Sequence, residues 1–99
     1  GLDLPPQQPY RQLWQRYSQG VRASNLVQQD YLVAKRAFET GCNPKQIALM
    51  LIAGSPYVRQ IHQSQGKDIA RDYVNQTAQL ACRNVQKQKN FRRQQEQEL

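Results

Sequence analysis

Little in this chain of 99 residues invites chemistry. It holds one histidine, two cysteines, one methionine and one tryptophan, and only seven acids stand against fourteen lysines and arginines. Each scarcity excludes something. Cys42, Cys82 and His62 are too widely spaced for a zinc site, and two cysteines without a secretory signal read as free thiols in a reducing compartment. No apolar run nears the ~20 residues of a membrane span, and residues 1–8 have neither the basic start nor the apolar core of a signal peptide. A cytoplasmic chain with no membrane partner is expected. It begins on Gly1 and not on methionine, which suits a piece of a longer protein.

Catalytic constellations are equally thin. The only paired carboxylates on one helix face are Asp68 and Asp72, at i and i+4 beside Lys67 and Arg71. They read as surface charge and not as a general acid–base pair. Gly54-Ser55-Pro56 and Gln65-Gly66-Lys67 lack the spacing and the preceding strand of a phosphate loop. Nothing in the order of residues places His62 beside Cys42, Cys82 or Ser55 as base and nucleophile. The expectation is that this chain alone is not an enzyme: no catalytic residue, no metal and no cofactor.

What the chain does contain is helical punctuation, densest from Gly41 to Pro56. Gly41 is a natural left-handed stop. Asn43 caps a new helix with Pro44 at its first position, and after Gly54 the pair Ser55-Pro56 repeats that signal. Between them, Ile47, Ala48, Met50, Leu51 and Ile52 leave almost no polar face, which predicts a short central helix buried on most sides. Taken in order, residues 1–8 form a proline-rich linker. From Pro9 a helix carries Tyr10, Leu13, Trp14 and Tyr17 on one face. Core packing is the first reading of these rings, with Arg11 and Arg16 beside them leaving a base-stacking platform as the alternative.

A second helix, capped by Ser24 or Asn25, bears a stripe of Val27, Tyr31, Ala34 and Phe38, widened by Leu26, Val33 and Ala37, and ends at Gly41. Asp30, Lys35, Arg36 and Glu39 fall mostly off that stripe and read as a solvated face. A fourth, short helix has Tyr57, Val58 and Ile61 apolar, with His62 an ordinary surface or core-edge residue. A last helix opens near Gly66 with Ile69, Tyr73, Thr77 and Leu80 on one face, joined by Ala70, Val74, Ala81 and Val85. The apolar pattern then stops apart from Phe91. This is an all-α chain: a compact bundle of four to five helices over residues 9–85 with a long basic C-terminal helix, residues 86–99 being a basic, Gln-rich extension or tail. A mean hydropathy of −0.87 with 38% apolar residues fits a small core with extended ends.

The net charge of +7 favours an anionic partner. No acid falls between Asp72 and Glu96; Arg83, Lys87, Lys89, Arg92 and Arg93 lie along that part of the chain, and Arg71 lies just before it. These six are the candidate nucleic-acid contacts, neutralising phosphates without reading sequence, with Lys45 and Arg59 as weaker members. A solubilising helix extension explains the same residues. A helix-turn-helix built on 27–53 would need polar residues on its second helix, which turns apolar after Lys45 and Gln46.

The run Ser24, Asp30-Tyr31, Ala34, Ala37, Gly41, Pro44, Ile47, Leu51 and Gly54-Ser55-Pro56, followed by Gly66-Lys67, Ala70, Tyr73-Val74 and Thr77, resembles a small helical domain. That domain follows the catalytic part of plasmid primases and mobilisation relaxases, and the similarity covers about Ala23 to Ala81. The resemblance implies a non-catalytic accessory domain of a plasmid or mobile-element DNA-processing protein, helping the catalytic domain of the same chain engage DNA. The nucleophilic tyrosine and metal-binding histidines of relaxases and the acidic metal residues of primases have no counterpart here. The expected partner is thus single- or double-stranded DNA, bound weakly and in a salt-sensitive way. The alternative is a protein-interaction domain docking on its catalytic domain or another protein through an exposed patch of Tyr10, Trp14 and Tyr17.

Overall fold

A computed structural model of the chain describes the backbone of residues 7–97 and the side-chain surroundings of residues 9–89. Five helices follow in order: α1 (Gln7–Ser18), α2 (Leu26–Glu39), α3 (Pro44–Gly54), α4 (Pro56–Gln65) and α5 (Lys67–Gln97). The all-α expectation stands. The chain turns helical at Gln7, two residues inside the expected linker, because a proline in the first helical turn lacks only an N–H that would be unpaired there.

Local chemistry sets the boundaries. Asn25 is extended at φ −156°, and its side chain accepts the Gln28 N–H at 2.8 Å. At the start of α3, Asn43 Oδ1 accepts the Gln46 N–H at 2.8 Å, while Gln46 Oε1 accepts the Asn43 N–H at 2.9 Å. This reciprocal box satisfies two otherwise orphaned donors. Ser55 ends α3 and caps α4, with Pro56 at the first position of the latter. Gly41 at φ +111° and Gly66 at φ +98° adopt the left-handed turns after α2 and α4 that a side chain would strain.

The central role expected of the third helix is borne out: α3 packs against all four of the others. On one side it receives α1, and on the other α5, which also packs along α2 and α4. Trp14 is buried where α1 meets α3, seated on Gly54. A Cβ built on Gly54 would overlap Trp14 Cβ and Cγ, atoms too near the α1 backbone to swing away. Gly54 therefore does more than close its helix; it lets two helices touch. Ile47, Met50 and Leu51 of α3, Val33 of α2 and Val74 of α5 are the large apolar side chains with no exposure at all.

Several faces are turned from their expected orientation. In α2 the buried residues are Asp30, Val33, Ala34 and Ala37, an i, i+3, i+4, i+7 set. Val33, Ala34 and Ala37 belong to the apolar set expected of this helix, but the buried face is centred roughly 80° from the line of Val27, Tyr31, Ala34 and Phe38 and takes in Asp30. Val27 is 46% exposed, whereas Asp30, expected in solvent, has none of its surface exposed. Arg36 stays exposed, as expected, and its Nη1 donates to the carbonyls of Tyr17 and Gln19 at 3.1 and 2.7 Å. It thereby neutralises the carbonyl-rich end of α1. In α5, Ala70, Val74, Ala78, Ala81, Cys82 and Val85 form the buried face, and Ile69 and Leu80 are exposed. Ile52 of the central helix is exposed as well.

Candidate functional site

Two polar arrangements stand out, one inside the bundle and one on it. Inside, Asp30 is held by donors from two other helix segments. Ser55 Oγ donates to Oδ1 at 2.7 Å, and Tyr73 Oη donates to Oδ2 at 2.7 Å. Ser55 also accepts the Val58 N–H at 3.3 Å, so one hydroxyl caps α4 and ties it to α2. Tyr57 stacks edge-on against Tyr73, with ring centroids 5.1 Å apart. Burial pushes the Asp30 carboxyl above its usual value despite the two hydroxyls that favour its ionised form. Burial and the adjacent carboxylate raise the Tyr73 phenol in turn. With Asp30 and Ser55 both sealed from solvent, the constellation has no room for a substrate. It joins α2, α4 and α5.

On the surface, a cleft of about 520 Å³ opens between α3, α4 and the start of α5, with Tyr10 of α1 at its edge. Its floor is aliphatic: Leu49, Ile52, Ala53, Val58 and Ala70. Arg59, His62, Lys67 and Arg71 surround that floor. A second cleft of about 360 Å³ continues between α3 and α5 past Lys45, Asn75 and Gln79. Leu49, Ile52 and Arg71 line both, so the two clefts adjoin along the seam of α3 and α5 and are taken together as one groove. No acid lines it among the described residues.

The six expected phosphate contacts do not make one stripe. Arg83 and Lys87 are exposed one turn apart on the side of α5 that faces away from the bundle. Arg71 lies roughly 120–160° around the helix from them, and Lys89 returns to the bearing of Arg71 about 27 Å further along. Arg71 instead joins Lys45, Arg59 and Lys67 around the groove. Arg92 and Arg93 belong to α5, but their side chains fall outside the described residues.

The expected aromatic patch is not a surface feature. Trp14 is 8% exposed and seated on α3. Tyr17 is half-buried, and its hydroxyl accepts from Thr40 Oγ1 at 2.9 Å. Tyr10 alone reaches the groove. Cys42 and Cys82 are both free, and burial pushes the Cys82 thiol up, away from reactivity.

Lys67 and Arg59 gain their place in the groove from the packing of α4 and α5 on α3. That juxtaposition leaves no mark in local sequence. Among the described residues no helix is long and apolar enough to cross a membrane, and no group of three or more His, Cys, Asp or Glu side chains could hold a metal ion. Comparison of the chain with protein-family models, with curated proteins and with solved structures finds no match.

Proposed function

We propose that this chain is an accessory domain of a cytoplasmic DNA-processing protein of the plasmid relaxase or primase kind. In this reading it contacts DNA phosphates without sequence preference and leaves catalysis to another domain. The observation that carries the proposal is the outward face of α5. Arg83 and Lys87 stand exposed on the side away from the bundle, and Lys89 stands exposed on another bearing further along. The helix continues past Val85, the last buried residue among those described, with no acid from there to Glu96. Side chains spaced along a rigid rod can follow a phosphate backbone, and nothing on that face is shaped to read a base edge.

The test is a titration of labelled single strands of unrelated sequence, and of matching duplexes, followed by fluorescence anisotropy. Equal affinities across sequences are expected, with loss of binding in the Arg83→Glu/Lys87→Glu variant. Affinity that depends on sequence, or that survives those reversals, contradicts the proposal.

A further inference from the structure

The groove between α3, α4 and α5 differs in kind from the outward face of α5, and phosphate contact does not account for it. Its floor is aliphatic, and Ile52 leaves 44% of its surface open between the buried Leu51 and Ala53. Successive bases of a single strand need a run of aromatic platforms, and the groove offers only Tyr10 and the imidazole of His62 among the described residues, both in its α4 half. An aliphatic floor instead accepts apolar side chains projecting from a helix at i, i+3 or i+4, and i+7. The α5 lining runs from Lys67 to Gln79. That is about 18 Å, the length of roughly three helical turns. The rim is cationic at both ends, with Lys45 at one and Arg59 and Lys67 at the other.

We infer that this groove docks an acidic amphipathic helix of about three turns from another polypeptide or domain. Leucine-like side chains would enter between Leu49, Ile52, Val58 and Ala70, and flanking carboxylates would meet Arg59, Lys67 and Lys45. Charge complementarity selects the occupant: a basic or neutral helix of the same shape would leave the rim unpaired and be repelled or weakly held. The inference goes beyond phosphate contact by α5 and does not rest on it.

The experiment is an amide NMR titration of the whole chain with a synthetic helical peptide of about 14 residues, leucines along one face and glutamates on the flanks. A control peptide carries lysine in place of glutamate. The acidic peptide should shift amides of the groove, and the lysine peptide should not. Ile52→Glu and, separately, Arg59→Glu/Lys67→Glu should each weaken binding about tenfold or more. Lys87→Glu/Lys89→Glu should leave peptide binding unchanged. All these side chains are exposed, so the folded state survives the changes. Absence of groove shifts at millimolar peptide, or equal binding of the lysine peptide, overturns the inference. So does an oligothymidine that displaces the peptide from the same amides, which makes the groove a nucleic-acid site.

Discussion

The two parts of α5 obey different rules. From Ala70 to Val85 the helix buries a residue every three or four positions against α2, α3 and α4, and Tyr73 ties it to the sealed carboxylate of Asp30. Beyond Val85 the described side chains, Gln86 to Lys89, are all exposed. In the first part each side chain answers to its neighbours. In the second, over Gln86 to Lys89, only charge and helical propensity govern the choice of residue. A single helix can thus serve as a wall of the core and as a rod of positive charge. Substitutions in the two parts should consequently be read by different assays.

The largest effect is expected inside the bundle. Asp30→Ala leaves the Ser55 and Tyr73 hydroxyls without their acceptor, at a cost of about 3 kcal/mol measured by urea unfolding. A change below ~0.5 kcal/mol would mean that the junction contributes nothing to holding α5 in place. Next comes the seat of the central helix. Gly54→Ala gains helical propensity but drives a methyl group into the base of Trp14, with a net loss of about 2 kcal/mol. An unchanged or raised melting temperature would show that α1 can slide away freely.

A smaller effect concerns pH. The Asp30 carboxyl titrates above its unfolded value of 3.8, so the folded chain takes up its proton first as pH falls. Its contribution to stability is complete below the unfolded value and is lost as pH rises through the raised one. Relative to Asp30→Asn, which cannot titrate there, the native chain should gain stability as pH drops from neutral toward 4. A difference that stays flat or moves the other way would show that the two hydroxyl donors outweigh burial.

Much of the architecture was open to reading in local sequence, because caps and stops are local. Asn43-Pro44, Ser55-Pro56, Gly41 and Gly66 each act on atoms within a few residues, and each marks a helix end in the structure. Asp30 was not legible for the opposite reason. Its partners stand 25 and 43 residues away, and a charge beside an apolar stripe looks solvated until a serine and a tyrosine arrive from elsewhere. Discounting it also turned the predicted face of α2, since Asp30 is the first member of the buried i, i+3, i+4, i+7 set. The candidate site divides in the same way. The cations could be named, but periodicity along α5 alone could not assign Arg71 to a groove completed by α3 and α4.

The smallest expected change in stability lies in the outer part of α5. Lys87→Glu/Lys89→Glu should alter folding free energy by no more than about 0.5 kcal/mol, since neither side chain packs on the bundle. A larger loss, seen by thermal unfolding, would mean that the outer part of α5 is anchored and that the contrast between the two parts is false.

The same variant supplies the most direct test of phosphate binding by this helix. Its single-strand affinity should be compared with that of the native chain across a range of salt concentrations. The native chain should bind measurably at low salt, though weakly, and lose affinity steeply as salt rises. The double reversal should flatten the log–log slope by roughly 0.7 for each phosphate that is no longer neutralised. No binding by the native chain even at low salt, or an identical slope in the variant, would contradict the proposal that the outer part of α5 contacts DNA phosphates.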